Sequence, residues 1–165
     1  MKNIHSLAPA FLGHSLTQLV STIEMQGDQF LKEQGFEAPS RICSVLLTLN
    51  TNGDSSIADI AHSLGLSHQL VTQRINLLIK LGVAEEYAHP EDGRKCLICL
   101  TQKGKKQAQG LLGISNLAGR AYQELFNELG VDFERVVLQV NTALKERSIS
   151  LRARDLTETK RKKTS

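Results

Sequence analysis

Apolar positions recur at helical spacing along the first part of the chain. Leu12, Leu16, Leu19, Ile23 and Phe30 share one side of a helix predicted from Leu7 to Gln34. Gly35 stops it, and the stretch Gly35–Ser40, with Pro39, is a turn. A short apolar helix follows from Ser40 to Leu49, ended by the turn-rich run Asn50-Thr51-Asn52-Gly53-Asp54. Ser56 and Asp59 then stand at capping-box spacing, ahead of an apolar face made by Ile57, Ile60, Ala61 and Leu64. Gly65 closes that helix, Leu66 turns inward and Ser67 caps the next one. This next helix is predicted to run to about Leu81, with Val71, Ile75 and Leu78 inward and Gly82 at its end. Two helices joined by a short Gly-containing turn outline a helix-turn-helix.

Beyond Gly82 the period changes from helical to strand-like. Val83–Tyr87 and Lys95–Leu100 read as two strands, and the segment between them holds Asp92-Gly93, a strong hairpin signal. A hairpin directly after a helix-turn-helix is a wing. Thr101 can cap a helix from Gln102 to about Leu129, Gly130 ends it, and Asp132 caps a last helix reaching about Leu151. The tail Lys160-Arg161-Lys162-Lys163 is expected to be disordered. The predicted fold is mainly α with one small β-hairpin. Gly110, Gly113 and Gly119 cost a helix about 1 kcal/mol each against Ala, and either a close helix crossing or a kink would account for them.

Composition narrows the function classes. With 165 residues, 41% hydrophobic and 22% charged, the chain suits one compact domain with helical extensions. Aromatics are 4% and Trp is absent, so the core is aliphatic. No apolar run approaches the roughly 18 residues of a membrane span. The N-terminus lacks a basic leader and a small-residue cleavage site, so no signal peptide is expected. Three cysteines, an odd number, suit a reduced cytoplasm. The net charge of +3 is unevenly spread. Residues 145–165 hold eight Lys or Arg against three acids, and residues 66–106 hold seven against four. The remainder is acidic, with five against ten. Basic segments on an acidic body suit a polyanion partner, although a solvated face would look the same.

Asp92 to Gly104, DGRKCLICLTQKG, carries Asp92, Arg94, Leu100, Thr101 and Gly104 at the spacing of the wing of MarR-family regulators. Ser56 to Gly82, closing in Lys80-Leu81-Gly82, resembles that family's helix-turn-helix. The resemblance is specific from about Ser55 to Lys106; the flanking helices agree in length and order only. It implies a sequence-specific regulator of double-stranded DNA, a repressor in most cases, that acts as a homodimer on a pseudo-palindromic operator. It also implies a small aromatic or anionic effector. The corresponding layout is an N-terminal dimerisation helix (1–36), a winged lobe (37–106), C-terminal dimerisation helices (107–151) and a basic tail (152–165).

The residues themselves suit this role. The N-terminal part of a recognition helix faces the bases. Here His68, Gln69, Thr72, Gln73 and Asn76 form a polar side opposite Val71, Ile75 and Leu78. Gln and Asn can pair with adenine, and Thr can touch a thymine methyl or a phosphate. Ser67, among free helix-terminal amides, suits a phosphate, and Arg74 and Lys80 suit phosphate or surface roles. Arg94 can enter a narrow minor groove, with Asp92 holding its guanidinium. Lys95, Lys103, Lys105 and Lys106 would add phosphate contacts. Leu12, Leu16, Leu19 and Ile23 at one end, and Val136, Val137, Val140 and Leu144 at the other, supply apolar stripes for a dimer or for a monomer core.

No enzyme, cofactor or metal is expected. Cys96 and Cys99 form a C-x-x-C, but on a strand this spacing puts them on opposite faces. Cys43 lies on an apolar helix as a small buried residue. The five histidines show no ligand spacing, and Ser, His and Asp residues form no nucleophile motif. The alternative function is a winged-helix interaction module without sequence-specific DNA binding. A hydrophobic recognition face would favour it, and this face is polar.

Overall fold

The computed structural model describes residues 10–36, 38–90 and 96–163, with side chains through residue 158. The elements in order are α1 (Leu12–Glu33), a single 3-10 turn (Ser40–Ile42), α2 (Cys43–Asn52), α3 (Ile57–Leu64) and α4 (His68–Lys80). Two strands follow, β1 (Ala84–Ala88) and β2 (Cys96–Leu100), then α5 (Gln102–Leu129), α6 (Phe133–Glu146) and α7 (Ile149–Lys163). This is the mainly α fold with one small hairpin that the polarity pattern predicts. The chain divides into two compact units between Leu117 and Ala118.

The first unit holds an aliphatic core. Ile42, Val45 and Leu46 of the second helical stretch, Ile60 of α3, Val71 and Leu78 of α4, and Ile98 of β2 are fully buried together. Leu31 near the end of α1 joins them. Asp28 of α1 accepts a 2.6 Å bond from the Ser40 amide, so an acid on one helix caps the first turn of the next. The predicted helix from Ser40 to Leu49 differs at both ends. It opens as a 3-10 turn and continues as α2 through Asn52. Asn50, Thr51 and Asn52 favour turns in isolation, but burying Leu49 holds them in the helix. Gly53, at φ 76°, makes the stop, with its N–H donating to the Leu49 carbonyl at 3.1 Å. Residues Leu7 to Pro9 of the predicted first helix lie outside the described residues, and α1 itself starts at Leu12.

α5 spans the predicted Gln102–Leu129 without interruption. A Cβ added at Gly110, Gly113 or Gly119 would meet nothing within 4 Å, so no close crossing inside this chain requires them. In the second unit, Tyr122 stacks on Phe126 with ring centroids 6.1 Å apart, and Phe126 meets Phe133 in a tilted contact at 5.8 Å. α6 starts as predicted, with Asp132 accepting from the Arg135 amide at 3.0 Å.

The C-terminal expectation is corrected. A single helix to about Leu151 with a disordered basic tail gives way to two helices, α6 and α7, broken at Arg147 in extended conformation. Ser148 restarts the chain by accepting from the Leu151 amide at 3.4 Å. Arg152 donates to the Ala143 carbonyl (2.8 Å), which also accepts the Arg147 amide, and to the Arg147 carbonyl (3.1 Å), and so ties α7 to the end of α6. Arg147 pairs with Asp155 of α7. These contacts, and a run rich in Arg, Leu and Lys, extend helix through Lys163.

Candidate nucleic-acid interface

The site begins with two caps. Ser56 accepts from the Asp59 amide at 3.2 Å, and Asp59 in return accepts from the Ser56 amide at 3.4 Å, the capping box predicted from their spacing. α3 ends at Gly65 in the left-handed region (φ 62°), and the Leu66 amide folds back onto the Ala61 carbonyl at 3.0 Å. Ser67 then caps α4 by accepting from the Leu70 amide at 3.3 Å. α4 is clamped through Val71, Ile75 and Leu78, each at most 1% exposed. Its opposite side is consequently turned to solvent, and Gln69, Gln73 and Asn76 stand exposed on it. Ser67 and His68 are exposed at the helix start.

Two members of the predicted polar face behave differently. Thr72 is half-buried and its hydroxyl donates to the His68 carbonyl at 2.8 Å, so the oxygen is already engaged. Arg74, grouped with the DNA-binding residues from sequence, does not share that face. It lies three residues after Val71 and four before Leu78, which puts it beside the buried stripe. Its guanidinium Nη1 donates to Ser44 Oγ of α2 at 3.1 Å, and its Nε is buried with no partner. Lys103 likewise bonds within the fold, although it stays exposed. Its ammonium donates to the Leu81 carbonyl at 2.7 Å, capping the end of α4.

The hairpin pairs antiparallel, Ala84 with Leu100 through Ala88 with Cys96. Ala84, Ile98 and Leu100 bury its inner face. Ser55 adds a third, one-residue rung to β2: its amide donates to the Ile98 carbonyl at 3.1 Å and its carbonyl accepts from the Ile98 amide at 2.9 Å. Next to it, Tyr87 donates to the Asp54 carboxylate at 2.6 Å. That bond to a carboxylate holds the phenol protonated and pushes its pKa up to about 12. Sequence pattern missed both anchors, because Asp54 and Ser55 sit in what reads only as a turn. Asp92, Arg94 and Lys95, predicted for the wing, lie outside the described residues.

The base of the hairpin is set by Thr101 and Gly104. The Thr101 hydroxyl donates to the Gly82 carbonyl at 2.8 Å and accepts from the Gly104 amide at 3.1 Å. The Thr101 amide donates to the Val83 carbonyl at 3.1 Å. This threonine therefore fastens the end of the helix-turn-helix to the start of α5. Gly104 is required because a Cβ there would collide with the Val83 carbonyl.

The cysteines are poor nucleophiles at neutral pH. Burial, helped by the negative charge of Asp28, pushes the Cys43 thiol up to about 11. Glu86 raises Cys96 through a hydrogen bond, and desolvation followed by the charges of Asp54 and Glu85 raises Cys99. Among the described residues no group of three or more His, Cys, Asp or Glu is placed to hold a metal, and no helix is long and apolar enough to cross a membrane.

A capped helix pair with a short turn, followed by a hairpin anchored on both edges, defines a winged helix-turn-helix protein. The sequence model of the MarR family matches residues 43–95, so this segment belongs to the MarR family of winged helix-turn-helix regulators. No curated protein matches the sequence. The fold is similar to that of S. aureus MepR in a complex with DNA (TM-score 0.62, 19% identity, covering 84% of this chain and 97% of MepR). It is equally similar to Streptomyces coelicolor PcaV bound to its natural ligand (TM-score 0.62, 17% identity, 90% and 99% covered). Bordetella bronchiseptica BpsR, whose DNA binding is regulated by 6-hydroxynicotinic acid, aligns with TM-score 0.60 at 20% identity, covering 82% and 93%.

Proposed function

We infer that this protein is a sequence-specific regulator of transcription that binds double-stranded DNA as a homodimer, acting as a repressor released by a small aromatic or anionic ligand. The observation that carries this is the outward polar face of α4, held on a MarR-type helix-turn-helix with its buried stripe facing the other way. The DNA-bound form of MepR and the ligand-bound form of PcaV support it by similarity of fold. Ser67, His68, Gln69, Thr72, Gln73 and Asn76 would enter the major groove. Arg94 would reach the adjacent minor groove with Asp92 orienting it, and Lys95 would contact phosphate. Ligand binding would release DNA by favouring a dimer whose two recognition helices no longer match the half-site spacing.

The deciding experiment is a salt-titrated binding assay on duplexes from upstream of the gene, with Arg94→Ala beside wild type. Saturable binding to one pseudo-palindromic site is expected, weakened by ~1–3 kcal/mol in the variant. Weak binding that ignores sequence and is unchanged by the substitution would instead favour a winged-helix interaction module.

Arg74 has a separate expectation from its bond to Ser44. Arg74→Gln should lower thermal stability by about 1 kcal/mol, as loss of one half-buried hydrogen bond does. The salt dependence of DNA binding should keep its slope. If Arg74 touched a phosphate instead, the slope would fall by ~1.

A further inference from the structure

We propose that α4 reads neighbouring adenine–thymine pairs through the carboxamides of Gln69, Gln73 and Asn76; the proposal rests on the DNA-binding function above. Beyond His68, exposed at its first position, α4 leaves few hydrogen-bonding groups open on its outward face. Ser67 Oγ accepts as the helix cap, the Thr72 hydroxyl donates to the His68 carbonyl, and Arg74 is directed to Ser44 through Nη1. The side chains of Gln69, Gln73 and Asn76 are exposed and bond to none of the described residues. The outward face thus presents three carboxamides, each a donor beside an acceptor.

That pairing matches one base edge in the major groove. Adenine offers the N7 acceptor next to the N6 donor, and a carboxamide satisfies both. Guanine offers two acceptors, N7 and O6, and calls for a side chain with two donors, Arg or Lys. The one arginine of α4 is turned to Ser44, and its lysine, Lys80, stands in the last turn, away from the base-facing end. No acid on this helix is available to accept from cytosine. Thr72, with its hydroxyl tied to its own helix, keeps a methyl group suited to a thymine methyl.

The spacing agrees. Gln69, Gln73 and Asn76 stand at i, i+4 and i+7, on one face and spread over about 10 Å of helix. Base pairs repeat every ~3.4 Å, so the three carboxamides span about three steps. Each half-site should therefore contain two or three neighbouring A·T pairs, with adenine N7 as the group being read.

The test uses the full chain. Duplexes selected from a randomised pool should hold neighbouring A·T pairs at the centre of each half-site. Replacing an adenine there by 7-deazaadenine, which keeps its pairing and loses the N7 acceptor, should weaken binding about tenfold. In Gln73→Ala that loss should vanish at one position and persist at the others, and Gln73→Arg should move the preference at that position to guanine. Fixed G·C pairs at those positions overturn the proposal and leave DNA binding standing. So does saturable binding that is indifferent to 7-deazaadenine. Absence of saturable binding overturns both.

Discussion

Gly104→Ala should strongly destabilise the protein. The added methyl group would occupy the position of the Val83 carbonyl, with the Leu100 Cβ at 3.4 Å on another side. A side-chain clash can relax by changing rotamer, but this one is with backbone. The Val83 carbonyl is moreover held by the Thr101 amide, and Thr101 is held by Gly82. To make room, α5 must lift from the strand it starts against, and the shared bonds go with it. Overpacking of this kind costs about 3 kcal/mol, against which alanine regains ~1 kcal/mol of helix propensity. A net loss of about 2 kcal/mol is a large share of the 5–15 kcal/mol typical of a domain. Thermal unfolding followed by circular dichroism should show the midpoint fall by roughly 4–8 °C. Gly110→Ala is the control, since its Cβ would meet nothing within 4 Å, and it should be neutral or slightly stabilising. Equal midpoints for Gly104→Ala and wild type would refute the close approach of α5 to Val83.

The second large effect concerns assembly. Leu12, Leu16, Leu19 and Ile23 form a stripe at i, i+4, i+7 and i+11 on α1, between 38 and 47% exposed. Val136, Val137, Val140 and Leu144 form another on α6, between 41 and 46% exposed, and α6 buries none of its residues within this chain. Monomeric proteins seldom leave whole stripes of large apolar side chains in water. A second copy covering them would bury several leucines and valines, each contributing about 1.5–3 kcal/mol. The double variant Leu16→Glu, Leu19→Glu would place four carboxylates in such an interface. It is expected to sediment as a monomer where wild type sediments as a dimer, with its circular dichroism retained because neither leucine belongs to the core. Two linked half-site contacts become independent, so affinity for a full operator should fall by a factor of ~100 or more. Affinity for a single half-site should stay unchanged. Val140→Glu tests the α6 stripe in the same way. A variant that remains dimeric removes the stripe from the interface, and a monomeric wild type removes the homodimer itself.

Much of the fold and part of the site are legible in the sequence alone, and what separates them from the rest is physical. Ser56 with Asp59, Gly65, Ser67, Gly82, Thr101, Gly130 and Asp132 mark element ends through bonds made within a few residues, or through a left-handed backbone that glycine takes without strain. Such signals need no tertiary information. The burial of Val71, Ile75 and Leu78 was equally readable, because one helix has one period, and it set which side of α4 Gln69, Gln73 and Asn76 occupy. What needed the tertiary structure is what depends on a distant partner. Arg74 reads from sequence as a phosphate or surface residue, and only the tertiary structure brings Ser44, thirty residues earlier, within reach of its guanidinium. Lys103 looked like another until the end of α4 lay within its reach. Asp54 and Ser55 looked like turn residues until the hairpin packed against them. Asn50 to Asn52 stay helical because Leu49 is buried, and α7 forms where Arg152 and Asp155 find acceptors and a cation at the end of α6. Local chemistry determines where elements start and stop and which way each faces. Whether a long charged side chain points to solvent, to a partner or back into its own fold is decided only when elements far apart in sequence come together, because its several rotatable bonds reach all three.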